Sequence, residues 1–295
     1  MKSLTISQRE NLDGYIFLFP AIAYFALLVV YPFFYSFFLS LHQKTGIKLT
    51  DISFAGLYQY RKALSNTEFW DSLSHTVTYT FSVVFFQMLT GLILAVFLNN
   101  QILAKNLIRA LIFTPVVLST IVCGRVWVWF YDPDATGLMN RIISMVGIKP
   151  IAWLKDPNWA LFSVIFMSIW KWIGYHMVIY LAALQGISSD YYEAASIEGA
   201  NGLQKFWRIT FPLLANTSWL LVITSIINSF QVFDQIFVMT SGGPVGATNV
   251  VVYMIYRSAF VGFDLPYASA IAWLLFGVIF ILTLIQMQIQ NKTNQ

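Results

Sequence analysis

Apolar residues run along this chain in six long blocks, at 14–41, 76–98, 110–131, 158–184, 212–239 and 266–288. Each meets or exceeds the roughly 20 residues that a helix needs to cross a hydrocarbon core of about 30 Å. They predict an all-α integral membrane protein with six transmembrane helices. Ala21-Ile22-Ala23 in the first block resembles a small-residue cleavage site, but the run continues without a charge to Leu41. That is too long for a signal peptide core and predicts an uncleaved first span. A seventh uncharged stretch, 235–256, is broken by Gly242-Gly243-Pro244. Paired Gly with Pro predicts a turn, so 240–265 reads as an external connection carrying a short helix around Tyr253 and Tyr256.

Polar residues concentrate between the fourth and fifth blocks, in the segment 188–212. Asp190 and Glu193 have the spacing of a capping box and predict a helix start. Gly199 offers a left-handed stop, and Asn201 with Gln204 repeats the cap spacing for a second helix through Phe206, Trp207 and Ile209. Pro212 suits the first turn of the following span, where a missing N–H costs nothing. Each short helix falls below the ~12–15 residues at which an isolated helix is marginally stable, so something must pack against it. Ala194, Ala195 and Ala200 let another backbone come close, while Glu193, Glu198, Lys205 and Arg208 supply orienting charge. The profile is that of a docking element; the plainer alternative is a polar loop.

Composition narrows the function. The chain is 58% hydrophobic, 17% aromatic and 10% charged, with a mean hydropathy of +0.68. Its net charge of +4 comes from basic residues that never form a run, which excludes a nucleic-acid footprint. Cys123 is the single cysteine, so neither a disulfide framework nor a thiolate metal cluster can be built. His42, His75 and His176 are scattered, and no H-E-x-x-H, G-x-S-x-G or phosphate-cradling G-x-x-x-x-G-K-[ST] occurs. No catalytic or metal site is therefore expected. Charge bias leaves the orientation open. With the N-terminus inside, seven Lys/Arg (Lys2, Arg9, Lys105, Arg109, Lys205, Arg208, Lys292) face eight outside (Lys44, Lys48, Arg61, Lys62, Arg141, Lys149, Lys155, Arg257).

The spacing Glu193-Ala194-Ala195, Gly199, Ile209, Phe211-Pro212 resembles the EAA loop of permease subunits of ABC importers, specifically the binding-protein-dependent sugar permease family. Glu198 stands where Asp is commoner and Phe211 where Leu is commoner. The stretches 14–41, 54–60, 69–80, 169–195 and 230–244 are similar to the family as well, so the resemblance covers nearly the whole chain. It implies a type I ABC importer permease fold in the bacterial inner membrane, with segment 1–13, loop 188–212 and tail 289–295 cytoplasmic. It implies that Glu193, Ala194, Ala195, Glu198, Gly199, Ala200, Ile209 and Pro212 dock on an ATPase subunit. The implied partners are a second permease, two ATP-binding subunits and a solute-binding protein docking on 42–74, 131–157 and 240–265. The implied substrate is a carbohydrate, with no cofactor on this chain and ATP and Mg on the ATPase subunits.

Inside the spans, Asn228, Gln231 and Gln235 recur at i, i+3 and i+7, with Asp234 beside them. On one helical face they could orient a sugar along a path; alternatively these amides bond a neighbouring helix, worth about 0.5–2 kcal/mol. Lys171, between Trp170 and Trp172, is an intramembrane charge that needs a partner, and Asp234 is the only acid in any span. A gradient-driven secondary transporter is the rival reading, for which Asp234 is the one possible relay. Arg125 lies where it can reach an interface. Tyr58, Tyr60, Trp70, Trp153 and Tyr256 suit protein docking or sugar stacking, or else pack the loops.

Overall fold

The computed structural model describes residues 6–46, 51–100, 103–134 and 137–293. Lys2, Lys48, residues 1–5 of the N-terminal segment and residues 294 and 295 of the tail lie outside the described residues.

The helices are α1 (Ile6–Phe25), α2 (Tyr31–Ser40), α3 (Tyr58–Leu64), α4 (Thr67–Asn99), α5 (Lys105–Val117), α6 (Thr120–Phe130), α7 (Leu138–Ser144) and α8 (Pro157–Gln185). They continue with α9 (Ser189–Ile197), α10 (Gly202–Lys205), α11 (Phe211–Leu213), α12 (Ala215–Phe230), α13 (Asp234–Met239), α14 (Val251–Tyr256) and α15 (Leu265–Thr293). Among the described residues the one non-helical element is a short antiparallel ribbon, His42–Lys44 on Ile52–Phe54, with His42 opposite Phe54.

Among the described residues four apolar helical stretches are long enough to cross a membrane: Phe17–Ser40, Thr67–Asn99, Pro157–Gln185 and Leu265–Gln290. Two bent pairs, α5 with α6 (102°) and Gly202–Leu213 with α12 (61°), bring the number to the six expected when each pair is one span. The block predicted at 110–131 is thus an elbow. Leu118 and Ser119 are extended, at ψ 149° and 137°. Two π-turns have a common sequence cause. Ala26–Val30 ends just before Tyr31-Pro32, and Phe206–Thr210 just before Phe211-Pro212. A proline cannot donate to the carbonyl four residues back, and the widened turn instead bonds Tyr31 N–H to Ala26 O and Phe211 N–H to Phe206 O.

The chain divides into two compact units. In the unit formed by the described residues up to Asn66 and by Ile255–Leu275, Trp273 packs against Phe33 and Phe37 at 4.8 and 4.9 Å and donates to Ser36 Oγ at 3.2 Å. Lys62 bridges to Asp264 at 3.2 Å and lies over the Tyr267 ring. Tyr60 shares a 2.7 Å hydrogen bond with Ser40, so this aromatic is part of the unit's packing.

In the larger unit, Thr67–Met254 with the chain from Phe276 on, α8 is the central helix and packs against α4, α5, α6, α12 and α13. Ala95, Leu98, Met177, Tyr180, Leu184 and Leu221 are buried between α4, α8 and α12. Gly174 is required where α5 crosses α8, since a Cβ there would collide with the Ile112 carbonyl oxygen. The outward faces are as apolar as the core: Phe81 is 72% exposed and Phe162 57%. Helices hydrophobic all round belong in hydrocarbon. In the connection 131–157 the buried Asn140 is a hub, accepting from Trp153 Nε1 at 2.9 Å and Ile151 N–H at 3.0 Å. Trp153 also packs on Tyr131 and Trp159, so it holds the loop together.

Candidate functional site

The predicted shared face of Asn228, Gln231 and Gln235 does not exist as one helix. Helix α12 ends at Phe230, and Phe233 leaves helical geometry at φ −141° before α13 begins at Asp234. Tertiary bonds override the helical pattern here. Gln235 Nε2 donates to Tyr79 Oη at 2.8 Å and Ser168 Oγ at 3.3 Å, fixing the start of α13 against α4 and α8. The break nevertheless brings all four predicted path residues to one place. Asn228, Gln231, Asp234 and Gln235 line a cavity of about 420 Å³ walled by α4, α8 and the end of α12.

These four side chains have two different situations. Gln235 is buried and its amide is committed within the chain. Asn228, Gln231 and Asp234 are exposed to the cavity, and their side chains have no hydrogen-bond partner among the described residues. The opposite wall was not singled out from the sequence. Tyr79 donates to Ser168 Oγ at 2.9 Å, and Gln87 Nε2 to Ser168 O at 3.0 Å. His176 Nε2 meets Ser225 Oγ at 2.8 Å while its Nδ1 meets Trp172 O at 3.1 Å. Trp172 and Tyr175, each more than a third exposed, present aromatic surface. The available signal was a polar stripe inside the spans: Tyr79, Val83 and Gln87 recur every four residues on α4, as do Ser168, Trp172 and His176 on α8.

Lys171 does not pair with Asp234. It is 1% exposed, and its Nζ donates to Pro115 O at 3.0 Å and Leu118 O at 2.7 Å. These carbonyls stand at the elbow, where the extended Leu118 and Ser119 interrupt the helical donors, and the ammonium replaces them. Lys171 is a clamp on a broken span, and Thr120, on the far side of that break, lines the cavity. Arg125 is exposed.

Loop 188–212 follows the predicted helix–turn–helix with two corrections. The first helix is capped by Ser188, whose Oγ accepts from Asp190 N–H at 3.3 Å, so Asp190 lies inside the first turn. The smaller hydroxyl reaches the backbone from one position ahead of the helix. Pro212 does not open the span; it sits in the last turn before the 61° bend that leads into α12. Gly199 has φ +83°, and the bonds Ala200 N–H to Ala195 O and Gly199 N–H to Ser196 O close α9 as a Schellman motif. Asn201 and Gln204 form the predicted capping box, at 2.9 and 2.8 Å. Lys205 Nζ donates to Ser196 Oγ at 2.6 Å and Tyr192 shares a 3.0 Å bond with Thr210, bracing the two arms. Glu193, Ala194, Glu198 and Gly199 are exposed, whereas Ala195, Ala200 and Ile209 are half-buried. Neither α9 nor α10 buries a single residue, and Ile197 is 89% exposed.

Among the described residues no group of three or more His, Cys, Asp or Glu is placed to hold a metal ion.

The profile of the family described as "Binding-protein-dependent transport system inner membrane component" matches residues 54–294. The chain is 35% identical over 284 residues to the probable ABC transporter permease protein YurN of Bacillus subtilis, covering 95% of this chain and 96% of that one. It is 32% identical to the trehalose/maltose transport system permease protein MalF of Thermococcus litoralis, covering 96% and 95%. Among solved structures it is similar to a bacterial ABC transporter involved in the import of the acidic polysaccharide alginate, with a TM-score of 0.85, 22% identity, and 97% and 98% of the two chains covered. That likeness establishes the type I ABC importer permease fold. The chain therefore belongs to the inner membrane components of binding-protein-dependent transport systems, a family of transport permeases.

Proposed function

We propose that this chain forms half of the translocation path of an ATP-driven carbohydrate importer, and that the cavity between α4, α8 and the α12–α13 break is its part of that path. The observation that carries this is the trio Asn228, Gln231 and Asp234, exposed to the cavity with unused hydrogen-bonding groups beside Trp172 and Tyr175. Sugars need this combination: polar groups for hydroxyls and flat apolar faces for ring C–H surfaces. A pocket of 300–1,000 Å³ is the usual size for a small ligand. The trehalose/maltose permease relative supports the substrate class. A gradient-driven carrier is not favoured, because Asp234 stands without a second intramembrane acid.

The exposed loop is the coupling element in this reading. Its apolar residues Tyr191, Ile197, Leu203 and Trp207 face outward, and a partner surface that covers them would complete the fold of two helices too short to stand alone. That partner is an ATPase subunit carrying ATP and Mg, docked on Glu193, Ala194, Ala195, Glu198, Gly199, Ala200, Ile209 and Pro212. The loop, segment 1–13 and tail 289–295 then lie on the cytoplasmic side of a bacterial inner membrane, with 42–74, 131–157 and 240–265 outside for a solute-binding protein. Tyr58 and Trp70 are each more than half exposed and offer aromatic surface for that docking role.

Co-purification and reconstitution test the proposal. A tagged chain is expected to bring a second permease and two ATPase subunits, and binding protein with sugar is expected to stimulate ATP hydrolysis. Asn228→Leu is expected to keep assembly and that stimulation while lowering uptake. Uptake by the chain alone, driven by an ion gradient, would overturn the reading.

A further inference from the structure

We propose that Asp234 makes the cavity a filter against anionic saccharides, so that the transported class is neutral or amino-bearing sugars and excludes uronates and sugar phosphates. The inference rests on the cavity being the sugar path.

Among the described residues that line the cavity, Asp234 is the single charged side chain, and no lysine or arginine accompanies it. Its carboxylate is exposed to the cavity and has no partner there. The other polar groups are amides, hydroxyls and the His176 ring. His176 has no spare nitrogen for a ligand: Nδ1 faces the Trp172 carbonyl and Nε2 the Ser225 hydroxyl. With Nδ1–H donating to that carbonyl, a neutral ring accepts from Ser225. Lys171 is the cation behind this wall, its Nζ 5.1 Å from the centre of the Trp172 ring. It is fully buried and bonded to Pro115 O and Leu118 O, so it is not offered to a ligand.

A neutral sugar entering this space can donate hydroxyl protons to the carboxylate in charge-assisted hydrogen bonds. An amino sugar gains an ion pair as well. An anionic sugar loses hydration, finds no counter-charge and meets a like charge in a setting less polar than water. Discrimination then comes from a repulsive element, independent of which neutral sugar fits best.

The test is saccharide binding to the whole transporter, purified with its partner subunits in lipid nanodiscs without nucleotide, followed by saturation-transfer NMR. The probes are maltose, lactose, the glucosamine disaccharide and digalacturonate. Wild type is expected to bind at least one neutral probe about tenfold or more tightly than digalacturonate, a margin that one like-charge contact readily supplies. Asp234→Asn is expected to shrink that margin to about twofold, with digalacturonate binding more tightly than to wild type even as neutral binding weakens through the loss of the charge-assisted bonds, and Asp234→Glu is expected to preserve the margin. Full discrimination retained in Asp234→Asn, or none in wild type, overturns the filter. Asn228→Leu separates the two layers. If no probe gives a signal that Asn228→Leu weakens, the path reading fails and takes the filter with it. If binding depends on Asn228 and charge selectivity is indifferent to Asp234, the filter alone fails.

Discussion

The loop 188–212 and the cavity wall are built in opposite ways. Every interaction that shapes the loop is short in sequence: Ser188 to Asp190, Ala195 to Ala200, Asn201 to Gln204, and at most Tyr192 to Thr210. Its helices α9 and α10 contain no fully buried residue. The cavity wall is made of long-range bonds, Tyr79 to Gln235 and His176 to Ser225, among residues that are buried. A locally specified, uncovered element can be presented to a partner and moved as a piece. A wall that depends on several helices at once fixes the spacing of polar groups but cannot be read from any one of them.

That contrast can be broken at Gly199, where the largest effect is expected. A Cβ at Gly199 meets nothing within 4 Å in this chain, so any crowding is external. The left-handed backbone costs an L residue about 1–2 kcal/mol. Gly199→Leu should therefore lower recovery of the ATPase subunits about tenfold or more, whereas Gly199→Ala, which adds the strain with little bulk, should lower it less. Equal recovery from Gly199→Leu and wild type, read from subunit stoichiometry on a gel, would place the loop outside the interface.

Lys171→Met is expected to be the next most damaging change. It leaves two carbonyls at the elbow unpaired, at about 1–3 kcal/mol each. Thermal unfolding in detergent should fall in temperature, with Lys171→Arg intermediate. Exchanging the charges, Lys171→Asp with Asp234→Lys, should rescue nothing, because the pair is not formed. Gln235→Leu and Gln231→Leu sharpen the division inside the cavity. The first removes a buried donor from Tyr79 and Ser168 and should cost about 1–3 kcal/mol of stability. The second should leave stability unchanged and act on uptake. Ser188→Ala should have the smallest effect, about 1 kcal/mol from a lost cap, seen as faster amide exchange in α9.

Much of this was legible in the sequence because it is local. Six apolar blocks, the Gly199 stop, the Asn201–Gln204 box and the Gly242-Gly243-Pro244 turn each follow from a few neighbouring residues. The 231–233 break was not legible, because its cause, the anchoring of Gln235 on α4 and α8, lies far away in sequence. The same distance hid the partners of Lys171. Asp234 is the only opposite charge in any span, but the ammonium is satisfied by backbone carbonyls, which carry no signature in the residue string. Ser188 and Asp190 are both capping residue types and stand two apart, so the sequence permits either as the cap, and only geometry selects Ser188.

Uptake and ATP hydrolysis measured together, on the same vesicles, test most directly whether cavity and loop are separable parts of one pump. For Gln231→Leu the expectation is near-normal stimulated hydrolysis with sugar moved per ATP reduced about 2- to 10-fold, the range of one lost hydrogen bond. For Gly199→Leu, hydrolysis and uptake should fall together, with the ratio of the remainder unchanged. A Gln231→Leu transporter with the wild-type ratio, or a Gly199→Leu transporter with wild-type hydrolysis, would contradict the account.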